Sequence, residues 1–218
     1  MRKKDKLNIL YEDKYILAVS KPENILSIAT TKEKENTLYR KVSDYVKKQN
    51  KNNKVFIVHR LDKETSGIVL FAKDLKTKYK LQETWSSTVR KYYAIVEGNI
   101  VNRGIIKNYL AETKYLKTYI TNDKNKGKIA ITKYEPIQNN KDYTLLNIEI
   151  LTGRKNQIRV HMSSIKHPII GDKKYGYSKN NRMYLQAYYL EFNHPVDNKR
   201  IIIEEPITEN FLNLMDKH

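Results

Sequence analysis

Val58-His59-Arg60-Leu61-Asp62-Lys63-Glu64-Thr65-Ser66-Gly67-Ile68 places a carboxylate two residues after an arginine, turns through Thr-Ser-Gly and runs into the apolar stretch Val69-Leu70-Phe71-Ala72. Val55 to Val58 reads as one strand and Ile68 to Ala72 as the next, so Asp62 sits on the loop between them. A loop that presents an acid between two strands is a natural place for catalysis. An isolated Arg-x-Asp would be read more simply, as a turn whose acid satisfies local backbone donors.

Outward from this loop, the pattern is one of many short strands and few helices. Leu7 to Tyr11 and Tyr15 to Val19 read as strands joined by Glu12-Asp13-Lys14. Thr37 can cap a helix with Leu38, Val42, Tyr45 and Val46 at helical spacing, and Asp74 a second one carrying Leu75, Tyr79 and Trp85. Tyr92 to Val96, Ile105-Ile106, Thr118 to Thr121, Ile129 to Thr132 and Tyr143 to Leu151 are further strand candidates. Asn156 to Met162 reads as a helix with Ile158, Met162 and Ile165 on one face. Tyr184 to Phe192 and Arg200 to Ile203 add strands, and Phe211, Leu212 and Leu214 mark a terminal helix. Strands with short turns and few crossovers predict an α+β fold with a mixed, mainly antiparallel central sheet and flanking helices. No internal repeat and no Pro-, Gly- or Ser-rich linker divides the chain.

Composition narrows the partner. Lys plus Arg is 42 against 24 Asp plus Glu, a formal net charge of +18 over 218 residues. Such a field draws polyanions, and RNA or DNA is the first expectation. No apolar run is long enough to span a bilayer. Cysteine is absent, so disulfides and thiolate chemistry are excluded, and a cytoplasmic location is expected. The five histidines, His59, His161, His167, His194 and His218, show no paired metal-ligand spacing, and no Gly-rich phosphate loop is present. Neither a metal nor an organic cofactor is therefore expected. The segment Asn122 to Lys128 reads as an exposed hairpin tip, and its Lys124, Lys126 and Lys128 serve equally well as an RNA grip or as a solvated turn.

Five segments, in order, carry a resemblance. They are Lys21-Pro22 with Asn24 two residues on, the Asp62 loop, Arg90-Lys91-Tyr92-Tyr93-Ala94-Ile95-Val96-Glu97-Gly98, Thr152-Gly153-Arg154-Lys155-Asn156-Gln157-Ile158-Arg159-Val160-His161, and His167-Pro168-Ile169-Ile170-Gly171-Asp172-Lys173-Lys174-Tyr175-Gly176. Leu185-Gln186-Ala187 with Leu190, Phe192 and His194-Pro195 extends the series. Together they resemble the RluA-type RNA pseudouridine synthases, whose catalytic motif is HRLDxxTSG. Four positions depart from the family pattern: Asn24 stands for a glycine, Arg90 for a lysine, and Asn156 and Gln186 each for a histidine.

The resemblance implies isomerisation of uridine to pseudouridine in structured RNA, ribosomal or transfer, by a cofactor-free, monomeric enzyme. It implies one catalytic domain over residues 1–218, two lobes about one cleft, without the N-terminal RNA-binding domain that many relatives carry. Asp62 is the implied catalytic acid, whether it attacks the sugar, adds to the base or removes a ribose proton. Arg159 is its implied charge partner, since a guanidinium beside a carboxylate keeps it ionised. Tyr92 is implied to stack on the uracil, and Leu185 to form the apolar wall of the pocket. Arg60 is implied to fill the stack left by a flipped nucleotide, and Arg154 to hold a phosphate or to organise its loop. The rivals are a non-catalytic RNA-binding or ribosome-assembly factor on the same fold, and an RNA glycosidase-like hydrolase.

Overall fold

The computed structural model describes residues 7–31, 33–177 and 180–216. The first half of the chain forms β1 (Asn8–Glu12), β2 (Ile16–Lys21), α1 (Leu38–Gln49), β3 (Phe56–Ile57), β4 (Ser66–Ala72), α2 (Leu75–Glu83), β5 (Val89–Glu97) and β6 (Gly104–Glu112). There follow β7 (Thr118–Thr121), β8 (Lys128–Asn139), β9 (Tyr143–Ile150), α3 (Gln157–Ser164), β10 (Leu185–Asn193), β11 (Arg200–Glu204) and α4 (Glu209–Asp216). This is the expected α+β composition. The chain divides into two compact units, Met1–Thr88 with Tyr189–Glu205, and Val89–Tyr188 with Pro206–His218.

In the first unit β2 pairs antiparallel with β1 and β4, and β3 pairs with β4 through Phe56–Ala72 and Ile57–Phe71. The β1–β2 turn is set by Asp13, whose Oδ1 accepts from the backbone N–H groups of Tyr15 and Ile16 at 2.7 and 2.8 Å. Ile16, Ala18, Val58, Ile68, Leu70 and Leu81 form the core with Leu190, Phe192 and Ile203 from the β10–β11 hairpin. Leu17, Val19, Val69 and Phe71, on the opposite faces of β2 and β4, are also fully buried. Both strands are therefore covered on both sides, which explains their near-continuous apolar runs.

Thr37 caps α1 as its sequence predicts, accepting from the backbone N–H of Arg40, and Lys47 and Lys48 occupy the last turn, where cations favour the helix dipole. Asp74 caps α2 through Thr77. The α2 face differs from expectation. Leu75 and Tyr79 are 48% and 57% exposed, Leu81 is buried, and Trp85 lies beyond the helix in a 3-10 turn. With a mean composition this polar, two apolar residues four apart did not define the buried side.

In the second unit the order is β5-β9-β8-β6-β7, each pair antiparallel. β6 and β8 run well past the short apolar pairs that mark them in sequence, because their alternate residues, Lys107 and Lys133 among them, face solvent. Pro136 is tolerated within β8 at a register shift, where a ladder hydrogen bond is not required. Ile95, Leu145, Ile170 and Tyr184 form a core sealed by Phe211 and Met215 of α4. Leu212, also on α4 as its sequence predicts, is 41% exposed.

α3 is fixed by a buried polar chain. Nε2 of Gln157 donates to Thr132 Oγ1 at 3.0 Å, Thr132 Oγ1 lies 2.8 Å from Nδ1 of His161, and His161 Nε2 lies 2.9 Å from Asn108 Oδ1. An amide oxygen only accepts, so Nε2 of His161 carries the proton and Nδ1 accepts from Thr132. Burial pulls the imidazole down to about 4. A histidine held neutral in the fold contributes stability that is present above pH 6.5 and lost as the pH falls toward 4. Urea unfolding should therefore lose about 2 kcal/mol between pH 7.5 and pH 5 from this group. His161→Gln should be less stable at pH 7.5 and show a markedly flatter dependence over that interval; an unchanged pH dependence would assign the loss elsewhere.

Candidate active site

The Asp62 loop is held at its backbone on both sides of the acid. Ser27 Oγ donates to the carbonyl of Leu61 at 2.8 Å and accepts from its N–H at 3.1 Å. On the other side the Lys21 ammonium donates to the carbonyl of Lys63 at 3.0 Å, and to those of Pro22 and Ile25 at 2.9 and 2.8 Å. The N–H of Thr65 closes the turn onto the carbonyl of Asp62. Upstream, Leu70 donates to Nε2 of His59, whose ring stacks on Trp85 with centroids 4.7 Å apart. Asp62 is half-buried and Arg60 is exposed on this scaffold.

Lys21 is fully buried. Burial pulls its ammonium down to about 8, against the carboxylates of Glu64, Asp62 and Glu23, which work to keep it charged. Its three carbonyl contacts tie the Pro22–Ile25 turn to the Asp62 loop. Neither Lys21 nor Ser27 is assigned a role by its residue pattern. For Lys21 the signal was its place at the end of an apolar strand; for Ser27 there was none.

The second unit carries Tyr92 and Arg159. Tyr92 lies on β5, 9% exposed, opposite Ile148 of β9. Arg90, two residues earlier on the same face, is also buried, and its Nη1 lies where a Cβ on Gly153 would approach to 2.9 Å. Burial lowers the Arg90 guanidinium from its ordinary value, with Tyr92 opposing.

Arg159, on the buried face of α3, grips Asp172 with its fork: Nε to Oδ2 at 2.7 Å and Nη2 to Oδ1 at 2.8 Å. The Tyr175 ring lies over the guanidinium at 5.5 Å. Asp172 Oδ1 also accepts from the N–H groups of Lys174 and Tyr175. Burial pushes the Asp172 carboxyl up, but Arg159 and these N–H donors outweigh it and hold it below the usual range. The family resemblance implies Arg159 as the partner of Asp62 and gives no role to Asp172, which lies in the His167–Gly176 segment.

The family model described as RNA pseudouridylate synthase matches residues 15–164. An RNA pseudouridine synthase of Mycoplasma pneumoniae is 34% identical over 219 residues, covering 96% of this chain and 70% of the relative. The chain belongs to the RNA pseudouridylate synthase family. The ribosomal large subunit pseudouridine synthase D of Pseudomonas aeruginosa is 32% identical over 229 residues, covering 96% of this chain and 71% of that one. Among solved structures, human RNA pseudouridylate synthase domain containing 4 superposes with a TM-score of 0.81 at 21% identity, over 96% of this chain and 92% of that one, and shares the fold. This is an RNA pseudouridine synthase, an isomerase.

Three of its departures from the family pattern have local explanations. Asn24 adopts φ 62°, the left-handed turn that the usual glycine would make. Asn156 is also left-handed, at the N-terminus of α3, and its Oδ1 accepts from Lys174 Nζ and the Tyr175 hydroxyl, each at 3.3 Å. Gln186, fully buried, donates to the Pro206 carbonyl and accepts from the Thr208 N–H, so an amide spans both groups. Leu185 beside it is buried.

Of the remaining predicted residues, Arg154 donates from Nε to the Ile129 carbonyl of β8 at 2.9 Å. Lys124, Lys126 and Lys128 are exposed at the β7–β8 turn, with Lys126 3.3 Å from Asp123. Through Nδ1, His167 meets the Glu97 carbonyl, 70 residues away in sequence, and His194 meets Asp197 Oδ1 in its own turn, while His218 lies outside the described residues. Among the described residues no group of three or more His, Cys, Asp or Glu is placed to hold a metal ion, and no helix is long and apolar enough to cross a membrane.

Two substitutions test this scaffold. Asp172→Asn leaves the buried Arg159 guanidinium without its carboxylate and should cost about 3–5 kcal/mol in urea unfolding. Ser27→Ala leaves both buried backbone groups of Leu61 without this partner and should cost about 1–3 kcal/mol, with faster amide exchange at Leu61. Unchanged exchange there would remove Ser27 as a clamp of the Asp62 loop.

Proposed function

We propose that this synthase isomerises specific uridines in structured RNA, ribosomal or transfer, with Asp62 as its essential residue and no cofactor. The observation that carries the reading is the Asp62 loop itself, a half-buried carboxylate with Ser27 and Lys21 gripping the backbone on either side. Relatives named as ribosomal large subunit pseudouridine synthases favour a ribosomal substrate. The reaction breaks the bond from ribose C1′ to uracil N1 and joins C1′ to C5. The C5 proton is lost and N1 gains one, so nothing is oxidised and no redox group is needed.

In this proposal Tyr92 stacks on the uracil and its hydroxyl assists proton movement from C5. Arg159 supports the charge of Asp62; the Asp172 pair engages two of its five N–H donors. Leu185 supplies an apolar wall. Arg60, exposed two residues before Asp62, fills the stack of a flipped nucleotide, a step costing a few kcal/mol. Arg154 and the Lys124, Lys126 and Lys128 turn contact phosphate. The enzyme acts as a cytoplasmic monomer. A non-catalytic assembly factor would have no need of Asp62, Tyr92 and Arg159 together.

Asp62→Asn keeps the side chain's size and removes its charge. The variant should fold, bind RNA as tightly as wild type and form no detectable pseudouridine. Chromatography of digested nucleosides reads this directly, since the isomers share one mass. Product formation by the folded variant would overturn the assignment, whereas release of free uracil by wild type would point to hydrolysis.

A further inference from the structure

The lysine- and asparagine-rich segment 47–54 is not used by the proposed reaction. It has four lysines in eight residues, and no acid occurs between Asp44 and Asp62. The segment forms an ordered turn. The N–H of Asn53 donates to Asn50 O, Asn52 N donates to Asn50 Oδ1, and Asn53 Nδ2 reaches back to Val46 O at 3.2 Å.

This turn walls a cavity of about 650 Å³ in the first unit. Tyr15, Phe56, Asn52, Asn53, Lys14 and Lys54 line it; the Lys14 ammonium lies 5.5 Å from the centre of the Tyr15 ring, and both rings also pack in part against the core. Lys14 and Lys54 are exposed, and both rings are half-buried. Two further charged residues of the lining have local duties: Lys73 donates to Glu12 and the Asp13 carbonyl, and Asp74 is taken up by the cap of α2. The Asp74 carboxylate is thus tied to Thr77 through both oxygens.

The cavity lies at the far end of β4 from Asp62. Asp62 precedes Ser66 and the lining resumes at Lys73, so the length of the strand, roughly 20 Å, separates them. It is therefore a separate place from the candidate catalytic loop. Its size suits a mononucleotide-sized group. Rings offer faces to bases, an amide such as that of Asn52 can meet a base edge while that of Asn53 braces the turn, and ammonium groups meet phosphate, which is how single-stranded nucleic acid is held. An acidic peptide would use the lysines but leave the rings and amides without a role.

We propose that this cavity is an RNA exosite that holds a single-stranded nucleotide segment flanking the modified position. The proposal rests on RNA being the substrate, and its test is one of binding alone, so it stands or falls separately from pseudouridine formation. Affinity of the full chain for a fluorescently labelled oligouridylate is measured over a salt series, for wild type, for Lys14→Glu/Lys54→Glu and for Lys14→Ala/Lys54→Ala. A matched pair at exposed lysines elsewhere, Lys107→Glu/Lys141→Glu, controls for net charge.

Both exosite pairs should weaken binding, the glutamate pair by about tenfold or more, and the slope of log affinity against log salt should fall by roughly 1.4 for two lost phosphate contacts. The control pair should change affinity less than threefold. A 4-thiouridine probe should crosslink within the Tyr15 or Phe56 peptide, and polyglutamate should compete poorly. Equal losses in the exosite and control pairs, or no loss in either, would overturn the proposal. So would crosslinks confined to other peptides, or displacement of the probe by polyglutamate as effectively as by unlabelled RNA. Should wild type bind and crosslink as expected yet make no pseudouridine, the exosite stands and the catalytic reading fails.

Discussion

A guanidinium and a carboxylate, both removed from water, set the geometry of the second unit. Arg159 and Asp172 are each costly to bury alone, and the pair is tolerated because both carboxylate oxygens are hydrogen-bonded. The fork of Arg159 takes both Asp172 oxygens, two backbone N–H groups share Oδ1, and the Tyr175 ring covers the cation. Tyr175 in turn accepts from the Thr118 N–H through its hydroxyl, and Lys174 reaches the Leu116 carbonyl. α3, the 172–175 turn and the β6–β7 hairpin are thereby tied to one ion pair. Replacing such a pair by apolar residues often costs little, whereas removing one partner alone is strongly destabilising, so the pair fixes an arrangement more than it adds stability.

The first unit solves a similar problem with one buried charge and no carboxylate at hydrogen-bond distance. Lys21 is satisfied by three carbonyls drawn from two segments. An ammonium has three donors and no planar fork, so it suits the convergence of separate backbone oxygens better than an arginine would. The cost of burial appears in its lowered pKa. What is gained is a fixed path for the chain on either side of Asp62.

The architecture was legible where residues follow a strict period or a cap. Thr37 and Asp74 marked helix starts, and the β1–β2 turn was readable from the polar Glu12-Asp13-Lys14 between two apolar runs. The left-handed turn at Asn24 followed from residue type. Legibility failed where burial depends on partners far away in sequence. The exposed Leu75 and Tyr79 and the solvated lengths of β6 and β8 are of this kind. At the site, motif residues could be named, but who holds whom could not. The partners Arg159–Asp172 and Ser27–Leu61 are separated by 13 and 34 residues. Nothing local distinguishes Ser27 from any other loop serine.

The turns of this chain also show where its composition had freedom to drift. It contains only 7 glycines, and three of its positive-φ positions, 24, 156 and 198, carry asparagine. Asparagine meets a demand of backbone angle alone, at little cost. Gly171 faces a different demand: a Cβ there would stand 1.6 Å from the Arg182 carbonyl oxygen. The first kind of turn is open to exchange between two residue types; the second is closed to every side chain. At Gly171, unlike at the three asparagines, the missing side chain is itself the requirement, because the space is already taken by another part of the backbone.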